Sequence, residues 1–133
     1  MKGEEVMKQR LSSGSEISYY DSGSGSPIFF VHSYAHNKNM WFPQLEYFLN
    51  LGFRVVAPDI PGHGESSFNP KRHTIDHFAQ DCEELMSKLN LSKPVFVGIS
   101  MLGRIEVSSG LFIIAESVAS RTSLFTPRFI ILI

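Results

Sequence analysis

Three short apolar runs, separated by longer amphipathic segments, are the feature that most constrains how this chain can fold. They are "PIFFVHS", "FRVVAPD" and "KPVFVG", which begin at Pro27, Phe53 and Lys93. An apolar run of this length, without a polar face, is typical of a β-strand buried on both sides. Such strands occur in parallel sheets covered by helices, so the segments between them should be helical.

Helical periodicity is present in both intervening segments. "MWFPQLEYFLNLG" has apolar residues at helical spacing, and Gly52 follows as a stop signal. "TIDHFAQDCEELMSKLN" repeats apolar residues at intervals of three and four, with Thr74 as its N-cap. A β-prone run, "EISYYDSG", precedes the first of the three strands. The order predicts an α/β fold, with a mainly parallel twisted sheet and helices on both faces.

Size and charge limit the classes of function. The chain has 133 residues, which suits one domain spanning 1–133, and its net charge is −1. That charge argues against a nucleic-acid partner. Cys82 is the single cysteine, and the charged N-terminus lacks the apolar core of a signal peptide. No segment is long and apolar enough for a membrane span, so we predict a cytoplasmic protein without a membrane partner.

The carboxyl ends of the predicted strands are where ligands bind in sheets of this class. The loops "HSYAHN", "DIPGHGES" and "GISMLG" leave the strands at that edge. The glycine-rich piece at 22–26 precedes a strand rather than a helix. It therefore does not fit a phosphate-binding loop.

The three loops resemble, in order, three motifs of the α/β-hydrolase superfamily. "FFVHSYAHNKNMW" resembles the strand and loop that carry the "HG" oxyanion signature, and "RVVAPDIPGHGESS" resembles the "D-x-P-G-x-G-x-S" loop. "VFVGISMLG" resembles the nucleophile elbow. The resemblance extends from about Glu16 to Gly103, which implies the N-terminal part of that fold.

The resemblance implies a serine hydrolase of the esterase or lipase type. Ser100 would be the nucleophile, on a tight turn between strand and helix, and the N–H groups of Met101 and Tyr34 would bind the oxyanion. The substrate would be a small molecule with an ester or related acyl group. The resemblance also assigns substrate contacts to His32, Ser33 and Trp41. Acyl transfer of this kind needs no cofactor and no metal ion.

Each candidate residue also has a structural interpretation. Ser100 could cap a helix, His32 could close its strand and bond the loop backbone, and His63 could shape its loop. Trp41 and its neighbour Phe42 could pack in the core. His73 and His77 are four residues apart, but no third metal ligand is evident nearby.

Two residues depart from the family pattern within the motifs. Leu102 stands where the family has a glycine, and a side chain there would crowd the neighbouring strand. Ser33 replaces the glycine of "HG", which bears on the position of the oxyanion donor.

The residues after Ser100 depart further. They include no aspartate and no histidine, although this family takes both its acid and its base from that part of the chain. Glu106 and Glu116 lie in a segment that we expect to form the helix after the elbow, where they would be surface charges. We therefore expect a single, incomplete domain that ends after about the sixth strand and is inactive by itself. The final strand, 129–133, would be an exposed edge through which copies self-associate.

Three functions stay open. The first is ester hydrolysis. The second is a non-catalytic remnant or binding module that keeps the fold. The third keeps the fold with a different reaction, as a C–C bond hydrolase or a cofactor-free haloperoxidase.

Overall fold

The computed structural model describes residues 5–98, together with 106–107, 111–112 and 130–132. Eight β-strands lie within these residues: β1 Met7–Arg10, β2 Glu16–Ser22, β3 Pro27–Val31, β4 Arg54–Pro58, β5 Val95–Gly98, β6 Glu106–Val107, β7 Leu111–Phe112 and β8 Ile130–Leu132. Helix α1 covers Phe42–Asn50 and continues a 3-10 turn at Lys38–Trp41, and helix α2 covers Ile75–Lys88.

Six strands form one sheet in the order β1-β2-β4-β3-β5-β8. The four strands from β4 to β8 in that order pair in parallel, and β1 and β2 add an antiparallel edge. The predicted α/β sheet, mainly parallel, is therefore confirmed. The strand β1 was not predicted, because its sequence, "MKQR", has the composition of an exposed loop.

The core lies on both faces of the sheet because side chains alternate along each strand. On one face, Phe29 and Val31 of β3 pack with the apolar side of α2. On the other, Ile28 and Phe30 pack with Trp41 and α1. This arrangement explains why β3 is apolar throughout, and it confirms that helices cover both faces.

Helix α2 begins where its sequence predicts. Thr74 has an extended backbone, and its hydroxyl accepts a hydrogen bond from the N–H of His77 at 3.3 Å. Asp76 lies in the first turn and Lys88 in the last, so both charges complement the helix dipole. No helix among the described residues has the length and apolar character needed to span a membrane.

The segment after the elbow differs from its prediction. Glu106 lies in a strand, not in a helix, because β6 pairs with β7 in an antiparallel ladder. The sequence between these strands is Ser-Ser-Gly. Short links that contain glycine favour hairpins, and neither serine nor glycine favours a helix. Glu116 is outside the described residues.

The predicted strand at 129–133 is present as β8, which pairs in parallel with β5. Among the described strands, β8 lies at the edge of the sheet. Self-association through this edge stays a prediction.

Candidate active site

The register of the parallel strands brings the motif loops to one edge of the sheet. Val31, the last residue of β3, pairs with Gly98, the last residue of β5. Adjacent strands lie about 4.8 Å apart, so β3 and β5 end side by side at this edge. Ser100, Met101 and Leu102 lie outside the described residues.

The loop after β3 contains a tight turn. The N–H of His36 donates to the carbonyl of Ser33 at 3.0 Å, and the hydroxyl of Ser33 is hydrogen-bonded to Nδ1 of His36. Tyr34 is 53% exposed. Among residues 5–98, the N–H of Tyr34 has no hydrogen-bond acceptor.

His32 links this loop to the loop after β4. Its ring is fully buried, Nε2 accepts from the N–H of Ile60 at 3.0 Å, and Nδ1 lies 2.8 Å from the carbonyl of Ser33. Because Nε2 accepts, the proton is on Nδ1 and is donated to Ser33. Burial lowers the pKa of His32 to about 4, so the ring is neutral at pH 7. These contacts fit the structural interpretation of His32, and its contact with substrate stays a prediction.

His63 supports the turn from the other side. Its Nε2 lies 2.7 Å from the carbonyl oxygen of Tyr34, to which it donates. The ring also lies 5.2 Å from the rings of both His32 and Tyr34. The role expected for His63, shaping its loop, thus extends to the neighbouring loop: it fixes the peptide that follows Tyr34.

Asp59 organises the loop after β4, and sequence reasoning missed its main partner, Lys38. The Lys38 ammonium lies 2.7 Å from Oδ2 of Asp59, and the Lys38 N–H donates to Oδ1 at 2.7 Å. The two side chains are 1% and 0% exposed. Burial acts to lower the pKa of Lys38, but hydrogen bonds to Asp59 and Glu65 outweigh it and raise the pKa. Nothing in the local sequence indicates a buried lysine, because its neighbours are polar.

The Asp59 carboxylate leaves no room for a side chain at Gly64. Its φ is +50°, and a Cβ atom there would lie 2.2 Å from Oδ2 of Asp59. The hydroxyl of Ser66 donates to the Asp59 carbonyl at 2.7 Å, and it accepts from the N–H of Ser18 at 2.9 Å. The aspartate, second glycine and serine of the motif "D-x-P-G-x-G-x-S" therefore hold the loop after β4 against β2 and against Lys38.

Trp41 is 1% exposed and packs against Phe30, with ring centroids 5.2 Å apart. This position matches the core-packing interpretation of Trp41. Its indole N–H has no partner among the described residues. Contact between Trp41 and a substrate stays a prediction.

His73 and His77 have separate local roles. The ring of His73 packs between Phe68 and Phe78, and Nδ1 of His77 lies 2.9 Å from the hydroxyl of Thr74. In the part of the chain that the structure describes, no group of three or more histidine, cysteine or acidic side chains could hold a metal ion.

Comparisons with known proteins agree with this architecture. The profile of the "alpha/beta hydrolase fold" family matches residues 26–105. A non-heme haloperoxidase of Rhodococcus erythropolis is 40% identical over 92 residues, which are 69% of this chain and 34% of the relative. A putative non-heme chloroperoxidase of Synechocystis sp. is 40% identical over 93 residues, which are 70% of this chain and 34% of that protein. The chain spans about a third of the length of these curated relatives.

Solved structures of esterases are similar as well. The esterase from Exiguobacterium antarcticum superposes with a TM-score of 0.72 at 29% identity, over 76% of this chain and 38% of the esterase. A thermophilic esterase from Thermogutta terrifontis gives a TM-score of 0.68 at 33% identity, over 76% of this chain and 38% of that structure.

Proposed function

Because the chain belongs to the alpha/beta hydrolase fold family, we propose that it carries the nucleophile and the oxyanion-binding groups of a serine hydrolase acting on small carboxylic esters. Ser100 is the proposed nucleophile, and the N–H groups of Met101 and Tyr34 are the proposed oxyanion donors. No cofactor is needed for this chemistry.

The observation that carries the proposal is the pairing of Val31 with Gly98. Tyr34 is three residues beyond the first of these and Ser100 two beyond the second, so both loops start from neighbouring points at the carboxyl edge. The N–H of Tyr34 has no acceptor among residues 5–98, and its carbonyl is held by a hydrogen bond. Both observations support a role as a preorganised donor. One such donor contributes about 3 kcal/mol to transition-state stabilisation in other serine hydrolases.

In the proposed step, the Ser100 hydroxyl oxygen attacks the acyl carbon and the alcohol leaves, so that an acyl-serine forms. A base takes the serine proton and returns it to the departing alcohol. No histidine follows Ser100 in the 133 residues. We therefore expect acylation of this chain to be slow and its turnover to be negligible.

Acylation by p-nitrophenyl butyrate tests the proposal. We expect one butyryl group on the tryptic peptide 89–104, which contains Ser100, and a matching release of p-nitrophenolate. Ser100→Ala should abolish the butyryl group on this peptide and the p-nitrophenolate release that matches it. Ser92→Ala is the matched control, because it removes an exposed hydroxyl from the same peptide near the opposite end of β5. Acylation of peptide 89–104 that survives Ser100→Ala, or the complete absence of acylation from this peptide, would favour a non-catalytic protein.

A haloperoxidase is the second candidate, because two of the most similar curated relatives carry that name or the related name chloroperoxidase. Such an enzyme consumes peroxide and halide, whereas an esterase consumes neither. Halogenation of an organic acceptor that depends on Ser100, without acylation by the ester, would favour this candidate.

The cytoplasm is the proposed location. Cys82, the single cysteine of the 133 residues, is a buried free thiol, which suits a reducing compartment. Burial raises the pKa of the Cys82 thiol to about 12, so the thiol stays protonated and unreactive. The proposed partners are the small substrate and, at the β8 edge, a second copy of the chain.

A further inference from the structure

We propose that Ser33 and His36 form a second nucleophile–base pair, which reacts with phosphonofluoridates and activated esters independently of Ser100. The hydroxyl oxygen of Ser33 is hydrogen-bonded to Nδ1 of His36. This pair is a feature of the chain itself, because the family pattern has glycine, with no hydroxyl, where Ser33 stands.

The backbone around the pair is fixed from both sides. The Ser33 carbonyl accepts from the N–H of His36 at 3.0 Å and from Nδ1 of His32 at 2.8 Å. The next carbonyl, that of Tyr34, accepts from Nε2 of His63 at 2.7 Å. The hydroxyl and the imidazole are thus held three residues apart on one turn, so little ordering remains to be done before reaction.

The two residues that follow Ser33 in the chain offer N–H groups for a developing negative charge. Among residues 5–98, the N–H groups of Tyr34 and Ala35 have no acceptor. An N–H of the residue after the nucleophile is the usual oxyanion donor at a serine elbow, and Tyr34 has that relation to Ser33. Ser33 is 7% exposed, whereas Tyr34, Ala35 and His36 are all exposed. The proposal requires a small electrophile to reach the Ser33 hydroxyl from the side of these three exposed residues.

In the proposed reaction with a fluorophosphonate, the Ser33 oxygen forms a bond to phosphorus, the phosphorus–fluorine bond breaks, and fluoride leaves. The hydroxyl proton passes to Nδ1 of His36. With an activated ester, the alkoxide leaves instead and takes that proton from His36.

Labelling with a fluorophosphonate, followed by tryptic digestion and fragment-ion mass spectrometry, tests the pair. Ser33 lies in peptide 11–38 and Ser100 in peptide 89–104, so the two sites are read separately. We expect the label on Ser33 in the unmodified chain and in Ser100→Ala. Labelling should vanish in Ser33→Ala and be at least tenfold slower in His36→Gln, since general bases typically contribute about 10²–10⁴-fold.

The chain offers a matched control in Thr74 and His77. This pair has the same spacing and also joins a hydroxyl to Nδ1, at 2.9 Å, but the Thr74 hydroxyl caps helix α2. His77→Gln should leave the labelling rate of Ser33 unchanged, and peptide 73–88 should stay unlabelled.

The outcomes test the Ser33–His36 pair separately from the proposed function of Ser100. Label on Ser100 alone, no label at all, or label on Ser33 at an unchanged rate in His36→Gln would overturn the proposed pair. The first of these would leave the proposed function of Ser100 intact. Label on Ser33 that persists in Ser100→Ala would support the pair, whatever the butyrate experiment shows at Ser100.

Discussion

Two ion pairs differ in exposure and lie at opposite ends of the parallel strands. One is at the edge formed by the carboxyl ends of these strands, and the other is at the edge formed by their amino ends. At the carboxyl edge, the side chains of Lys38 and Asp59 are 1% and 0% exposed. At the amino edge, Arg54 and Asp21 form a bidentate pair whose side chains are 24% and 13% exposed. A charge that is removed from water depends on its partner far more than one that keeps some hydration. The candidate active site therefore contains the ion pair whose loss of one partner should destabilise the fold more.

At the amino edge, close contact between backbone segments contributes to the packing. It contains an open groove of about 590 Å³ beside the Arg54–Asp21 pair and the glycine-rich loop. A Cβ atom at Gly25 would lie 1.9 Å from the carbonyl oxygen of Gly52. At Gly25 and Gly52 the amino edge is held by backbone packed on backbone, whereas charge and imidazole groups hold the loops of the carboxyl edge together.

Lys38→Met should give the largest effect in this comparison. It leaves the Asp59 carboxylate buried without a counter-charge, which typically costs about 3–5 kcal/mol. Urea unfolding followed by the fluorescence of Trp41, the single tryptophan, measures the loss. Asp59→Asn added to Lys38→Met should recover part of it, because the unpaired charge is then removed. A loss below about 1 kcal/mol would contradict the proposed dependence on burial.

His32 should make stability depend on pH. Its pKa is about 4 in the fold and 6.5 in a free side chain, so the unfolded chain binds more protons between these values. The fold keeps His32 neutral, so His32 does not lower the free energy of unfolding above about pH 6.5. Below that pH the free energy of unfolding falls, until about pH 4, because only the unfolded chain binds the extra proton. The difference amounts to about 3 kcal/mol. Urea unfolding of His32→Gln at several pH values should show a flatter dependence than the unmodified chain over this range.

Arg54→Met should have a smaller effect than Lys38→Met. The Asp21 carboxylate keeps partial contact with water, so we expect a loss of about 1–2 kcal/mol in the same urea experiment. The hydrogen bond from Arg54 to the Leu89 carbonyl, at 3.1 Å, is lost as well. An effect equal to that of Lys38→Met would show that exposure does not distinguish the two edges.

Glu65→Gln should have the smallest effect. Its carboxylate lies 3.0 Å from the Lys38 ammonium, but its side chain is 55% exposed. Exposed partners of ion pairs contribute about 0–1 kcal/mol. The unfolding midpoint should therefore change little, while the Glu65 N–H continues to donate to Asp59 at 2.9 Å.

Local patterns were sufficient to predict most elements of the sheet. The apolar runs at β3, β4 and β5 and the spacing in α2 identify those elements because burial on both faces or on one face leaves a regular signature. The antiparallel β1 and the β6–β7 pair gave no such signature: β1 is polar, and its pairing with β2 supplies the order that its own sequence lacks.

The sequence by itself determined the class of fold, the edge at which the loops meet, and the residues proposed for acyl chemistry. Only the tertiary structure decided that Lys38 is buried on Asp59, that His63 holds the Tyr34 carbonyl, and that the Ser33 hydroxyl meets His36. The first two contacts join loops more than 20 residues apart, and the third depends on a turn that its neighbours hold in place. Periodicity reports which face of an element is buried, whereas the partner of a polar side chain is set by how separate segments approach one another.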